Sequence, residues 1–222
     1  MQSLPKPRAI IFDWDNTLVD TWPVIHEALN RTYADMGKPL WTFDQTRERV
    51  KKSMRDSFPE IFGENWEQAA ILYQGYYRSS HLEALKPLEG AKDVLEAVRS
   101  LGLFCAVVSN KKGPVLREEV EHIGWKSYFS TIIGADDAAR DKPHADPVHL
   151  AFAQTHIKPA PDVWFVGDSE VDIACAEATG CTALLYGPVA RTHESYTDTH
   201  YFGFPFHHHV DDHEGLLALL KA

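Results

Sequence analysis

Apolar runs and amphipathic stretches divide this chain into two textures. "RAIIFD", residues 8–13, is a short apolar run and predicts a buried strand. The pattern then turns helical. "WPVIHEALNRTYADMG" sets Val24, Ala28, Leu29 and Tyr33 on one helix face and stops at Gly37. "TFDQTRERVKKSM" and "NWEQAAILYQGYYRSSHLEAL" each predict a further helix, and no strand-type alternation occurs between Thr21 and Leu85. Pro87 and Gly90 punctuate the chain. Beyond them strands and helices alternate. "GAKDVLEAVRSLG" predicts a helix, "LFCAVVSN" a strand, and "PVLREEVEHIG" a helix opened by Pro114 and stopped by Gly124. "FSTIIGADD" holds a strand, "ADPVHLAFAQTHI" a helix, "DVWFVGD" a strand, "EVDIACAEATG" a helix and "TALLYG" a strand.

Strands alternating with helices predict a parallel sheet covered on both faces. The helical stretch of residues 21–85 is too long for an ordinary loop. The expected fold class is therefore α/β: a doubly wound, Rossmann-like core from residues 1–20 and 86–222, with an inserted α-helical cap domain at 21–85.

Composition narrows the function classes. Of the 222 residues 44% are hydrophobic and 24% charged, which suits a globular chain with a sizeable core. The net charge of −10 argues against nucleic acid or an anionic membrane surface as partner. Three cysteines, Cys105, Cys175 and Cys181, lack framework spacing and read as reduced, packed thiols. "MQSLPKPRAII" has no long apolar core, and no run is long enough to span a bilayer. A cytoplasmic address is the expectation.

Parallel α/β sheets bind ligands at the carboxyl ends of their strands. Asp13 and Asp15 follow the first predicted strand, Asp168 follows "VWFVG", Ser109 and Asn110 end "LFCAVV", and Lys142 follows "IIGADDAARD". Two carboxylates one residue apart repel each other when both are ionised. A shared divalent cation offsets that repulsion, and an all-oxygen site favours Mg²⁺ bridging to a phosphate. One carboxylate can then act as nucleophile and the next as general acid and base. Singly, each of these groups reads as a turn, a cap or a solvated charge. Their order, each at a strand end or in the loop after it, singles out one site.

The chain thereby resembles the haloacid dehalogenase superfamily of hydrolases over nearly its whole length. "DWDNT" matches the motif D-x-D-x-T, and "VVSN" ends in the second-motif serine. "KPHADP" is similar to K-P-x-P-x-P, and "VGDSEVD" to the acidic fourth motif. The insert between the first two motifs resembles the cap of phosphoglycolate phosphatase-like members. The resemblance implies that Asp13 is the nucleophile, forming an aspartyl-phosphate, and that Asp15 is the acid and base with its carbonyl on Mg²⁺. It implies phosphate contacts at Asn16, Thr17, Ser109 and Asn110. It further implies that Lys142 neutralises Asp13 and phosphate, that Asp168 ligates Mg²⁺ and that Asp172 supports the site. Two departures are Ala145, where proline is usual, and Asn16, where glycine is frequent; Asn tolerates unusual backbone angles.

The function expected is Mg²⁺-dependent hydrolysis of a small phosphorylated metabolite, with phosphoglycolate the leading candidate. A phosphomutase of the same superfamily is the alternative. A phospho-aspartate receiver needs neither the cap nor the second acid, and a non-catalytic scaffold needs none of the catalytic groups. In the insert, "KKSMRDSF" carries Lys51, Lys52 and Arg55, and Arg55 is the candidate to grip a substrate carboxylate. The aromatic residues Trp22, Trp41, Trp66, Tyr73, Tyr76 and Tyr77 read as insert core or as a seam between insert and core. The histidine-rich stretch His193 to His213 reads as a strand edge and loop before a last helix, with a metal site the alternative. Oligomeric state is not legible.

Overall fold

The computed structural model describes residues 4–222. In chain order the elements are β1 (Ala9–Phe12), β2 (Val19–Asp20), α1 (Trp22–Asp35), α2 (Phe43–Arg49), α3 (Met54–Phe62), α4 (Trp66–Ala84) and β3 (Lys86–Pro87). There follow α5 (Ala91–Ser100), β4 (Phe104–Lys112), α6 (Gly113–His122), β5 (Thr131–Ala135), α7 (Asp146–Phe152), β6 (Val163–Gly167), α8 (Glu170–Thr179) and β7 (Thr182–Tyr186). The end comprises β8 (His200–Tyr201), β9 (Phe204–Pro205), β10 (His208–Val210) and α9 (His213–Lys221).

Six strands form one parallel sheet in the order β10-β7-β6-β1-β4-β5. Strand side chains alternate between faces, and here both faces are dry. Ile10, Phe12, Val107, Val166 and Leu184 join one cluster, covered by Val94 and Leu95 of α5, Leu116 of α6 and Leu216 of α9. Ala9, Ile11, Val108, Phe165 and Leu185 join the other, covered by Val148 of α7 and Ile173 of α8. That is why these strands read as continuous apolar runs. The chain leaves β1 for β4 and β5 on one side and later builds β6 and β7 on the other. β1 thus stands at the topological switch point, where the strand ends open into a crevice.

The core is interrupted by the helical insert. The short antiparallel pair β2–β3 joins its two ends to the core, and α1, α3 and α4 pack on one another around Val24, Leu29, Tyr33, Phe58, Phe62 and Tyr77. Val115 of α6 belongs to this same cluster, so the insert also packs on the core. Trp22, Trp41, Trp66, Tyr73 and Tyr76 pack against it as partly buried residues. The structure therefore has the expected fold class, a parallel α/β core carrying a helical cap.

Two expectations change. The single helix read over "TFDQTRERVKKSM" is two: α2 ends at Arg49, Val50 is extended at ψ 96°, and α3 begins after Ser53. A reciprocal cap between Thr42 and Gln45 starts α2, and the break lets Lys51 reach Glu170 of the core, 3.7 Å away. The helix read to Ile157 stops at Phe152. The histidine-rich tail does form a strand edge. His207 Nδ1 accepts the Ala183 N–H, and His209 Nδ1 and Nε2 lie 3.0 and 2.8 Å from the Tyr196 hydroxyl and the Gly187 carbonyl. The three cysteines are free and buried. Among the described residues, no helix is long and apolar enough to cross a membrane.

At the end of β6 only glycine fits. A Cβ on Gly167 would meet Asp172 Cγ at 2.3 Å. Gly167→Ala should therefore lower stability by about 1–3 kcal/mol through overpacking; an unchanged urea midpoint would show that α8 is not packed on β6 as described.

Candidate active site

Three strand ends supply the site. β1 runs into Asp13, β4 contains Ser109 and Asn110, and β6 runs into Asp168. All of them line one cleft between core and insert, together with Asp15, Asn16, Lys111, Lys142 and, from the insert, Arg55, Phe58, Tyr73 and Tyr77. Oxygen atoms of Asp13, Asp168 and Asp172 lie within 4.8 Å of one another.

Lys142 explains how such a cluster is held. Its ammonium, 2% exposed, donates to Asp13 Oδ1 and Asp172 Oδ1, each at 2.6 Å. Its backbone is clamped by Asn110, whose Oδ1 accepts the Lys142 N–H at 3.0 Å and whose Nδ2 donates to the Lys142 carbonyl at 3.1 Å. Asp172 spends its second oxygen on the Ser169 N–H and hydroxyl in a capping box at the start of α8. With both its oxygens taken, Asp172 supports the site. Among the described residues the Asp168 carboxylate accepts no side-chain hydrogen bond, and Asp13 keeps Oδ2 unspent. These two acids are the ones with oxygen left for a cation.

The electrostatics fit that division. Burial pushes Asp13 up to about 7; the Lys142 charge opposes this, and Asp172 and Asp15 add to it. Burial also raises Asp168 well above the carboxylate range, with Asp172 and Asp13 acting in the same sense. Lys142 is itself raised: burial opposes its charge, but Asp13 and Asp172 outweigh that. The hard oxygen donors and the unbalanced negative charge fit a small divalent cation.

The other expected residues fall as follows. Asn16 adopts φ 59°, the left-handed conformation its side chain tolerates, and its Oδ1 accepts the Thr21 N–H. The Ser109 hydroxyl accepts the Lys111 N–H at 3.2 Å. Thr17 is fully buried, its hydroxyl has no hydrogen-bond partner among the described residues, and it does not line the cleft. Arg55 lines the cleft, but its guanidinium faces the core: it donates to buried Asp141 at 2.7 Å and lies 3.4 Å from Asp136. Two carboxylates already offset its charge, so it latches insert to core and has little left for a substrate carboxylate.

Residues 10–186 match the family model of the haloacid dehalogenase-like hydrolases. The chain belongs to this family. It is an enzyme, a hydrolase, and its relatives agree. It is 33% identical over 196 residues to phosphoglycolate phosphatase 1 of Pseudomonas aeruginosa, covering 82% of this chain and 70% of that one. It is 30% identical over 190 residues to phosphoglycolate phosphatase of Yersinia pestis, covering 81% and 82%. The crystal structure of a haloacid dehalogenase-superfamily hydrolase from Ehrlichia chaffeensis superposes with a TM-score of 0.66 at 27% identity, covering 99% of this chain and 98% of that one.

Sequence reasoning missed a second group of polar residues in this hydrolase. Lys111 Nζ donates to Asp15 Oδ1 and to Glu119 Oε2, each at 2.6 Å. Glu119 is fully buried and also accepts from Trp14, Tyr77 and His81. Burial pushes Glu119 up, but the Lys111 charge and the hydrogen bonds from His81, Lys111 and Trp14 hold it down to about 2. The available signal was Glu119 on the apolar face of "PVLREEVEHIG", in register with Val115, Leu116 and Val120.

The Asp13 shift makes a test of the site. A raised pKa means that the native state keeps a proton the unfolded chain releases. This contribution favours folding below the ordinary value of 3.8 and is lost as pH rises through about 7. In chelator-treated protein the unfolding temperature of wild type should lose more, or gain less, over that range than that of Asp13→Asn. Identical slopes for wild type and variant would refute the placement of Asp13.

Proposed function

We propose that this hydrolase cleaves small phosphomonoesters through an aspartyl-phosphate on Asp13. The observation that carries the reading is the convergence of Asp13, Asp15 and Asp168 with Ser109 and Lys142 in one cleft roofed by helices. Asp13, kept next to the Lys142 ammonium, attacks phosphorus while the bond to the leaving oxygen breaks. Asp15 gives that oxygen its proton. A water molecule, deprotonated by Asp15, then attacks the aspartyl-phosphate, releasing phosphate and restoring Asp13. Ser109 and the Asn110 backbone amide hold phosphoryl oxygens, as does the loop at Asn16, and Lys142 meets the charge that builds on them. Asp13, Asp168 and the Asp15 backbone carbonyl would hold Mg²⁺, which would add positive charge for a bound phosphoryl group.

The segment 21–85 acts as the cap, excluding water and shaping the cleft for the rest of the substrate. Phosphoglycolate is the leading substrate, because the curated relatives carry that activity in their names. The phosphomutase alternative would return the phosphoryl group to a sugar instead of to water. The setting is proposed to be the cytoplasm, with a small metabolite as partner and neither nucleic acid nor membrane.

The test is phosphate release over a panel of alkyl phosphomonoesters, including phosphoglycolate, with and without Mg²⁺. Wild type should turn over at least one of them only when the cation is present. Asp13→Asn should lose turnover by at least about a thousandfold while unfolding cooperatively, because the amide is isosteric but cannot attack. Sugar phosphate isomers that interconvert without free phosphate would favour the mutase. Turnover undiminished in excess chelator, or in folded Asp13→Asn, would exclude the mechanism.

A further inference from the structure

A second cavity opens beside the catalytic cleft. Its volume is about 360 Å³, against about 160 Å³ for the cleft over Asp13. The two share Asn16, Trp22, Lys51 and Asp168, so they adjoin at the Asp168 end of the site. One wall of the second cavity is α2 of the insert, through Phe43 and Arg47. The other is the stretch after β7, through Gly187, Pro188, Ala190 and Tyr201. Those four residues lie beyond residues 10–186, the part of the chain that matches the family. A concave space of this size, with apolar and aromatic walls and a few charged groups, has the make-up of a small-molecule site.

The cations of the insert are not equally free. Arg55 is paired with Asp141 and Asp136, Lys52 with Glu60, and Arg78 lies 3.9 Å from Glu118. Arg49 lies over the Trp41 ring. Arg47 differs from all of these. It is half-buried, it lines the second cavity, and its guanidinium has no ion pair and no hydrogen bond among the described residues. Lys51, on the boundary of the two cavities, is only loosely met. Its Nζ is 3.7 Å from Glu170 Oε2, beyond hydrogen-bond distance, and that oxygen is buried with no hydrogen-bond partner among the described residues. Two cations with donors to spare thus line one cavity. The acids on its walls are Asp20, whose Oδ1 accepts the Trp22 N–H at 3.3 Å, and Asp168, which the mechanism above commits to a cation.

We propose that the second cavity receives the far end of the substrate, and that Arg47, with Lys51 beside it, binds an acidic group there. This rests on the reading of the Asp13 cleft as the place where the phosphoryl group reacts. The substrate class is then a phosphomonoester with a second acidic group, carboxylate or phosphate, carried on a spacer. A guanidinium holds either group with two parallel hydrogen bonds. The spacer is apolar or flat, because Trp22, Phe43 and Tyr201 line its way. Phosphoglycolate is the shortest member of this series. A single methylene separates its ester oxygen from its carboxylate, which keeps the acid in the cleft over Asp13, where Arg55 and Lys111 are already paired. A longer acid extends past the shared residues Asn16 and Lys51 and meets Arg47.

The discriminating property is reach. The experiment measures kcat/KM for phosphate esters of ω-hydroxy acids, from phosphoglycolate up to the six-carbon acid, beside uncharged alkyl phosphates of the same chain length, all with Mg²⁺. In wild type the ratio of acid to uncharged ester should rise with chain length, by roughly tenfold or more between the ends of the series. Arg47→Met should remove most of that rise and leave the uncharged esters as they were, since Arg47 stands outside the cleft over Asp13. Arg47→Lys keeps the charge without the paired donors and should retain part of the rise. Arg47→Gln, a good helix former, gives the same reading where Arg47→Met folds poorly. A ratio that stays flat with length in wild type, or a rise that persists in Arg47→Met and Arg47→Gln, would overturn the proposal. Free hexanoate that speeds the turnover of ethyl phosphate would also overturn it, because the cavity would then take a separate anion and not the end of the substrate. A wild type that releases phosphate from no ester of either series would instead overturn the reading of the Asp13 cleft on which the proposal rests.

Discussion

The Lys142 ammonium, buried between Asp13 and Asp172 at 2.6 Å from each, is the contact on which the rest of the site depends. It joins three parts of the chain that are distant in sequence: the end of β1, the loop after β5 and the start of α8. An ammonium taken out of water is tolerated only when its charge and its donors are met. Asn110 meets the backbone of Lys142, and the two aspartates meet its side chain. In return the carboxylates gain a fixed cation, so that two of them can lie close together with one more, Asp168, left unbalanced. That surplus of negative charge fits a divalent cation, whose own charge would be needed before an anion could approach.

Around this point the molecule divides its labour. The sheet supplies rigidity: β1, β4 and β6 are buried on both faces, and their carboxyl ends can therefore hold side chains to fixed positions. The insert supplies what a rigid sheet cannot, a wall that packs on the core at limited points. Val115 joins it by apolar contact, Arg55 by its ion pairs with Asp141 and Asp136, and Glu119 by hydrogen bonds to Tyr77 and His81. Several of these contacts are polar and adjoin the cleft, and polar contacts exchange with water more readily than an apolar core does. The insert is thus attached beside the cleft that Asp13, Asp15 and Lys142 line.

Much of this was legible in the chain. Asp13, Ser109 and Asp168 could be picked out because each ends or follows an apolar run that marks a buried parallel strand, and Asp15 and Lys142 because they lie in the loops just beyond such runs. Asp172 was legible because it lies one helical turn beyond the β6 end. Local signals also marked the helix ends, as at Pro114, Gly37 and Gly124. They failed where tertiary contact overrode them. The break at Val50 is visible only once Lys51 is seen to reach Glu170. Arg55 looked free in sequence because its partners, Asp136 and Asp141, lie more than eighty positions away. Thr17 matched a motif but turned inward.

The sequence by itself determined the layers of the fold and the identity of the acids. Both follow from short-range rules: side-chain periodicity assigns each segment to strand or helix, and the end of a strand is where its next polar residue must emerge. Only the tertiary structure decided which charges neutralise which. Asp13 pairs with Lys142 across 129 positions, and Asp15 with Lys111 across 96. The Glu119 carboxylate gathers donors from β4, α4 and the turn after β1. Charge pairing in a buried seam depends on distance and desolvation, and neither is encoded in the local pattern of the chain.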